Sequence, residues 1–557
     1  CTHGSMEVME ESVEDSVKIK KFLTDFATKN PEPLPDQDAL PFRLITYYLT
    51  EEEVEGECLD WAMQYLRVKE CPEGLAEMVA RQAVDAIMKT DLSLYHAPET
   101  PSLEDGAIFG DESTDSPEPP PEQEAPRAPR LEASRLARAV FGQVHEVCKQ
   151  LKDQPPTVPK PSICYCAHAI KNTRRKMEDK HVIQHHLNTL YGLKEEPSHY
   201  YFAVFDGHGG VEAAHYAGIH LHNNMMHSAA FKENPLQALA DAFIKTDKDF
   251  VEKSKRESLK CGTTGVSILL RENMAYLAWL GDSQALLVRD GQPVQLMEPH
   301  KPEREDEKKR IEDLGGCVVW FGAWRVNGSL SVSRAIGDAD HKPYVSGVPD
   351  VKAIPLDGTE DYIVLACDGL WDTVDPQDVV HTVHEAITDE NGDKSTVAHR
   401  LVFLARDNAS TDNITVIVIF LRDKIAEPKP INVFNFEGSE SKSESKGSGD
   451  QCGHANGGHG NKGEQSPPSP ASANGEEKGS NMDNSHSQSK AVEDREGDVF
   501  NSQGKTVEEK GGEMFNSQGK TMEEKGGEMF NSQSSTDSGV VDLSQDSQAS
   551  QAESCSI

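Results

Sequence analysis

The stretch YYFAVFDGHGG at residues 200–210 joins an apolar run to a turn that carries an aspartate and a histidine. The run Tyr200–Phe205 is apolar at almost every position, which predicts a strand buried on both faces. Asp206 follows it directly, so a rigid strand would fix this carboxylate while leaving it open to solvent. The glycines after it would let a backbone carbonyl approach a bound ion.

Three later runs have the same character and also predict buried strands: Ala275–Leu280, Tyr362–Ala366 and Ile414–Leu421. Helical patterns at about 211–228 and 235–256 separate the first strand from the next. Two packed sheets with helices outside them would bury all of these runs. The fold class expected from the residues is therefore α+β.

Composition divides the chain into a folded middle and polar flanks. The first part contains two amphipathic helices, one of them opening with the capping box Thr50-x-x-Glu53. The last part repeats a fifteen-residue unit beginning at Phe500 and Phe515, which is better explained by tandem duplication than by a dedicated binding repeat. The predicted domains are an N-terminal helical region at 1–97, an acidic Pro-rich linker at 98–130, a helix leading into the catalytic domain at 131–159, the catalytic domain at 160–423 and a disordered low-complexity tail at 424–557.

Charge and cysteine content restrict the partners. A net charge of -38 over 557 residues would repel nucleic acid and anionic membranes, so neither is expected as a partner. The eleven cysteines include no CxxC pair, which favours a reducing compartment. The longest apolar run, Ile414 to Leu421, is too short to span a bilayer, and no signal sequence opens the chain, although it begins with Cys rather than Met. An intracellular protein, cytoplasmic or nuclear, is expected.

Acidic residues lie next to several of the predicted strands: Glu178-Asp179, Asp206, Asp368, Asp372 and Asp412. Any one Asp-Gly or Asp-Asn pair is better explained as an ordinary turn. Their joint occurrence in one segment favours a site for Mg2+ or Mn2+, since hard cations prefer carboxylate and carbonyl oxygens. Thiol phosphatase chemistry is excluded because no cysteine has an arginine six positions later. The Gly-Asp-x-His and Gly-Asn-His-Glu motifs, which mark one class of binuclear metal phosphatases, do not occur either.

The middle segment resembles the type 2C family of metal-dependent serine/threonine protein phosphatases over about 260 residues. The motifs that carry the resemblance are RRKMED (174–179), FAVFDGHGG (202–210), CGTT (261–264), GDS (281–283), SVSRAIGD (331–338), ACDGLWD (366–372) and DNITV (412–416). The resemblance implies a four-layer α-β-β-α sandwich of two antiparallel sheets flanked by helices. It also implies hydrolysis of phosphoserine and phosphothreonine by a water that two Mg2+ or Mn2+ ions activate, without a phosphoenzyme.

The resemblance also implies roles for individual residues. The metal ligands would be Asp206, the Gly207 carbonyl, Asp368 and Asp412, with Glu178 binding the second ion directly or through water. Arg174 would bind the substrate phosphate. His208 would be the general acid, with a structural role in the turn as the alternative. Asp282 and Asp372 match positions that hold a third, weaker ion in relatives, and a supporting role behind the ligands is the alternative.

Within that family the N-terminal helices, the acidic linker and the stretch VNGSLSVSRAIGD at 326–338 are most similar to the calcium/calmodulin-dependent protein kinase phosphatases, which are partners of PIX exchange factors. This implies phosphorylated protein kinases as substrates and PIX-type factors as partners. A catalytically inactive scaffold and a hydrolase of small phosphate esters are the competing functions. The aromatic residues Trp320, Phe321 and Trp324 lie in a predicted flap and are either exposed for substrate recognition or part of the core.

Overall fold

The computed structural model describes residues 3–429 apart from 31–32, 36, 98–129, 159–161, 195–196 and 390–391, with side chains described from residue 15 onwards. The predicted linker and tail lie almost entirely outside these residues. The helices are α1 His3–Lys29, α2 Val54–Val68, α3 Leu75–Ile87, α4 Ala133–Asp153, α5 Leu187–Leu190, α6 Glu212–Met226, α7 Pro235–Glu257, α8 Glu305–Asp313, α9 Asp368–Trp371, α10 Pro376–Asp389 and α11 Val397–Asp407. The strands are β1 Tyr48–Leu49, β2 Leu131–Glu132, β3 Cys164–Ile170, β4 Lys180–Gln184, β5 His199–Phe205, β6 Gly207–His208, β7 Gly262–Thr263, β8 Gly265–Arg271, β9 Met274–Leu280, β10 Gln284–Arg289, β11 Gln292–Gln295, β12 Val318–Trp320, β13 Trp324–Val326, β14 Ile336–Gly337, β15 Asp350–Pro355, β16 Glu360–Ala366 and β17 Ile414–Phe420.

Two antiparallel five-stranded sheets form the centre of the fold. One has the strand order β11-β10-β16-β17-β3 and the other β15-β9-β8-β5-β4. The four runs that the sequence predicts as buried strands are β5, β9, β16 and β17, and all four lie inside their sheets rather than at the edges. Their continuous apolar character follows from this position, because both faces of each strand are covered.

The two faces of each sheet belong to different apolar layers. Phe202 and Val204 of β5 point between the sheets and pack with Ile363 and Ile417 of the opposite sheet. Alternate residues of β5, such as Tyr201, point outwards onto α6 and α7. The outward residues of β16 and β17 are covered in the same way by α10 and α11. The result is an α-β-β-α sandwich, which confirms the predicted fold class.

Helices α1 to α4 form an apolar cluster of their own. Leu23, Trp61, Val79 and Phe141 are buried in this cluster, one from each helix. The capping box predicted at Thr50 is present, with the Glu53 carboxylate accepting a hydrogen bond from the Thr50 backbone N–H at 2.9 Å. Helix α4 follows the linker in sequence, yet it packs with the helices that precede the linker. Helix α1 was not predicted.

Several ion pairs join the helical cluster to the sandwich. The acidic partner comes from the α2 region and the basic partner from α6 or α7, as in the pair of Glu53 with Arg256 at 3.0 Å. Glu53 also lies 3.7 Å from Lys253, and Glu57 lies 3.7 Å from His220. These side chains are buried except for that of Arg256, which is 23% exposed. Because α6 begins just after the Asp206-Gly207-His208 turn, the cluster packs behind the predicted site.

Among the described residues, none of the helices combines the length and the apolar character needed to cross a membrane. The described cysteines are all free thiols, as their spacing predicts.

Candidate active site

The predicted site residues lie at one rim of the sandwich because of the strand directions. Asp206 and Asp282 follow the ends of β5 and β9, which run parallel to each other on either side of β8. Asp368 follows the end of β16, and Asp412 precedes the start of its antiparallel neighbour β17. Residues that are far apart in sequence are thereby brought together at one edge.

The tightest group at this rim consists of Asp179, Asp206 and Cys367, whose ligand atoms all lie within 4.8 Å of one another. Asp179 is buried, and its Oδ2 accepts a hydrogen bond from Thr415 Oγ1 at 2.6 Å. Cys367 is buried, which raises its thiol pKa well above the ordinary value. It therefore remains a protonated thiol, and the oxygen donors of the two aspartates are the better candidate ligands.

Asp179 was not assigned a role from the sequence, which favoured its neighbour Glu178. The structure places the Glu178 side chain outside this group, half-buried near the turn, and its backbone N–H donates to Asn413 Oδ1 at 2.8 Å. The Glu178 backbone carbonyl also explains a glycine of the motif, since a Cβ on Gly207 would lie 2.4 Å from it. The role of Glu178 as a ligand remains a prediction.

Asp368 and Asp412 lie at the same rim but outside the 4.8 Å group. Burial raises the pKa of Asp368 to about 7, and the charges of Asp282, Asp372 and Asp412 add to this shift. Burial also raises the pKa of Asp372, against the lowering effect of Lys301. The rim thus concentrates negative charge that the described side chains only partly compensate.

Arg174 meets this acidic rim at its exposed side. Its Nη2 lies 2.5 Å from Asp412 Oδ2, and 56% of the arginine side chain is exposed. Asn413 holds the loop that carries Arg174, because its Nδ2 donates to the carbonyls of Lys171 at 2.8 Å and Lys176 at 3.0 Å. The guanidinium is consequently available at the mouth of the site.

His208 is held by a buried aspartate that the sequence did not single out. The ring Nε2 lies 2.8 Å from Asp338 Oδ2, and the Asp338 side chain is 2% exposed. A three-stranded sheet of β14, β7 and β6 creates this contact, with Gly262 of β7 opposite both His208 and Gly337. A Cβ on Gly262 would lie 2.2 Å from Asp338 Oδ2 and 2.6 Å from His208 Nε2, so only glycine fits between them.

This contact changes the acid–base character of the histidine. Burial alone would lower the pKa of His208, but the hydrogen bond and charge of Asp338, with the charges of Asp282 and Glu178, raise it above the ordinary value. The aspartate also fixes the orientation of the ring.

The donor set fits divalent cations such as Mg2+ or Mn2+. Burial and the charges of Asp179, Asp368, Asp282 and Asp412 raise the pKa of Asp206 well above the ordinary value, and a bound cation would remove that repulsion. Asp368 Oδ1 is buried and has no hydrogen-bond partner among the described residues. Carboxylate oxygens with a nearby glycine carbonyl are the donors that these ions prefer.

Comparison with known proteins identifies the family of this chain. The family model for protein phosphatase 2C matches residues 164–414. Mouse protein phosphatase 1F is 43% identical over 411 residues, which cover 73% of this chain and 88% of that protein. The chain belongs to the protein phosphatase 2C family.

Other proteins are similar to this protein phosphatase 2C chain over comparable lengths. Human protein phosphatase 1E is 51% identical over 392 residues, 70% of this chain. The chain spans about half the length of this relative, since the match covers 49% of it. Among solved structures, that of a Caenorhabditis elegans sex-determining protein superposes with a TM-score of 0.55 at 22% identity, covering 74% of this chain and 95% of that one. This last similarity supports the fold only.

The region predicted as a flap contains a hairpin of β12 and β13. Trp320 is 64% exposed, Phe321 75% and Trp324 36%, and the two tryptophan rings meet edge to face at 5.6 Å. Of the two alternatives left by the sequence, exposure is therefore correct for these aromatic residues. Asp179 and Asp338 are the site residues that sequence reasoning missed, although both lie in quoted motifs.

Proposed function

We propose that this chain is a metal-dependent protein serine/threonine phosphatase that hydrolyses phosphoserine and phosphothreonine without a covalent phosphoenzyme. The observation that carries the proposal is the juxtaposition at one rim of buried carboxylates, an exposed arginine and a histidine paired with a buried aspartate. Membership of the protein phosphatase 2C family supports it. When bound, two Mg2+ or Mn2+ ions would supply an activated water and offset developing charge.

The metal ligands in this proposal are Asp206, the Gly207 carbonyl, Asp368 and Asp412. Asp179 is added from the structure, and Glu178 is kept as a ligand of the second ion, directly or through water. Asp206, Asp368 and Asp412 lie next to the ends of different strands, and these strands fix their positions. The carboxylates of Asp206 and Asp368 must be deprotonated to bind an ion, so ion binding and loss of their protons are coupled.

Arg174 and His208 would act on the substrate itself. The planar guanidinium of Arg174 can bind two phosphate oxygens, and its exposure leaves it accessible to a phosphorylated loop. Because Asp338 engages Nε2 of His208, the proton for the departing serine or threonine oxygen would leave from Nδ1. The raised pKa favours the protonated ring that this task requires.

We further propose phosphorylated proteins as substrates, in particular protein kinases such as the calmodulin-dependent kinases, and PIX-type exchange factors as partners. The similarity to protein phosphatases 1E and 1F extends over 392 and 411 residues, which is longer than the segment 164–414 that matches the family model, and this supports a shared subgroup. The exposed aromatic hairpin offers a surface for protein substrates. An intracellular location, cytoplasmic or nuclear, belongs to the same proposal and is based on cysteine usage.

The test is phosphate release from a phosphothreonine peptide by the full chain, with and without added Mn2+. Activity is expected only with the ion, and Asp206→Ala or Asp368→Asn should reduce it at least about a hundredfold, because each removes a carboxylate of the site. Asp313→Asn is the matched control, since this aspartate is 65% exposed on α8 and pairs only with Lys309 among the described residues.

Three outcomes separate the competing functions. No turnover by the Mn2+-loaded protein would contradict the proposal and favour a scaffold. Faster turnover of sugar phosphates than of phosphopeptides would favour a hydrolase of small esters. Equal activity of Asp206→Ala and the control would show that the catalytic site lies elsewhere.

A further inference from the structure

The carboxylate of Asp282 at the rim is already paired with a cation of the protein. Its Oδ2 forms an ion pair with Lys301 Nζ, and the side chain of Asp282 is 4% exposed while that of Lys301 is 33% exposed. Asp282 lies in the turn after β9, on the side of the rim that also carries Asp368 and Asp372. A lysine ammonium therefore lies where the resemblance to relatives would place a third metal ion.

The backbone next to Lys301 is fixed to the turn that carries Asp282. The backbone N–H of His300 donates to the Gly281 carbonyl at 2.8 Å, and the His300 carbonyl accepts from the Ser333 backbone N–H at 3.0 Å and from Ser333 Oγ at 3.1 Å. The His300 ring is buried, with Nε2 3.1 Å from Asp350 Oδ2. These hydrogen bonds fix the backbone of His300 and thereby place the following residue, Lys301, next to Asp282.

Lys301 brings a positive charge to this part of the rim. A lysine ammonium is ordinarily charged at neutral pH, and its Nζ is paired with the buried carboxylate of Asp282. The ammonium thus stays positive at the pH at which the carboxylates are ionised, and a second cation at the same oxygen would meet like-charge repulsion.

We propose that Lys301 is the built-in third cation of this site and limits it to two divalent ions. Lys301 is in this view a positioning residue that acts through Asp282, and Asp282 is a partner of Lys301 rather than a metal ligand. The inference rests on the proposed function, because it concerns how many ions the same site accepts. It differs from the expectation that Asp282 and Asp372 hold a third ion.

The experiment is a Mn2+ titration of the full chain, with free Mn2+ followed by electron paramagnetic resonance. Wild type and Lys301→Arg, which keeps the charge, are expected to bind two Mn2+ per chain at saturation. Lys301→Met, which keeps the length and removes the charge, should bind three, and the double variant Lys301→Met/Asp282→Asn should return to two. Three Mn2+ bound by wild type, or two by Lys301→Met, would overturn the proposal.

A second variant covers the case in which Lys301→Met does not fold. Asp282→Asn in the wild-type background should leave the count at two, because its carboxylate is not a ligand, and loss of one Mn2+ would refute the inference. Failure of the proposed function has a different signature, namely that wild type binds no Mn2+ or that Asp206→Ala leaves its binding unchanged.

Discussion

Gly262→Ala tests whether the contact of His208 with Asp338 serves catalysis. The new Cβ would lie 2.2 Å from Asp338 Oδ2 and 2.6 Å from His208 Nε2, whereas Cβ contacts below 3.0 Å essentially never occur. The aspartate oxygen must therefore move by about 0.8 Å and the ring by about 0.4 Å, and displacements of this order cost about a hundredfold in rate when a reacting group is misplaced. Gly262 is not among the residues with positive φ, so the substitution adds no backbone strain of that kind.

The assay is steady-state hydrolysis of a phosphothreonine peptide at saturating Mn2+, with Mn2+ binding measured in parallel. We expect kcat to fall about a hundredfold and Mn2+ binding to stay unchanged, because the general acid moves while the carboxylates do not. Gly142→Ala is the control: a Cβ there meets nothing within 4 Å, and alanine inside α4 should stabilise the protein by about 0.5–1 kcal/mol. Wild-type kcat in Gly262→Ala would refute the reasoning.

Two further predictions concern stability. Glu53→Gln should lower the free energy of unfolding by about 1–3 kcal/mol in urea titrations, because it leaves Glu257 as the remaining acidic residue close to the buried Lys253. The control is Glu52→Gln, which changes an exposed neighbour and should alter the free energy of unfolding little. Equal effects of the two substitutions would contradict a role for the ion pair. Burial lowers the pKa of His222 to about 3 from an ordinary value of 6.5, so its contribution to stability is present above pH 6.5 and is lost as the pH falls. Between pH 7 and 5 this loss is about 2 kcal/mol, and His222→Gln should flatten the pH dependence of unfolding by that amount; an unchanged slope would count against it.

The sandwich could be predicted because its central strands are apolar on every face. Tyr200–Phe205 and Ile414–Leu421 are almost without polar residues, and the structure buries both faces of the corresponding strands. Helix α1 was missed although Ile19, Leu23 and Phe26 have helical spacing and are buried. The surrounding lysines and acidic residues make this helix weakly apolar overall, and its burial depends on α4, which lies more than a hundred residues later in sequence.

From the sequence, the site could be predicted only as the set of residues that lie at the ends of predicted strands. Strand β4 begins at Lys180, and successive side chains in extended backbone point to opposite sides, so one of Glu178 and Asp179 had to face the rim. Sequence alone does not say which of the two does so. In the structure Asp179 faces the rim, where Thr415 Oγ1 of β17 in the opposite sheet donates a hydrogen bond to its carboxylate.

The contacts of Asp338 and Lys301 depend on backbone pairing of the residues before them. Gly337 pairs with Gly262 of β7, and the His300 N–H donates to the Gly281 carbonyl after β9. Through these bonds Asp338 reaches His208, and Lys301 reaches Asp282, across separations of 130 and 19 residues. Backbone pairing between segments therefore determines which groups contact the general acid His208 and the acidic rim. Substitutions between the paired segments, such as Gly262→Ala, should affect His208 as strongly as substitutions of Asp338 itself.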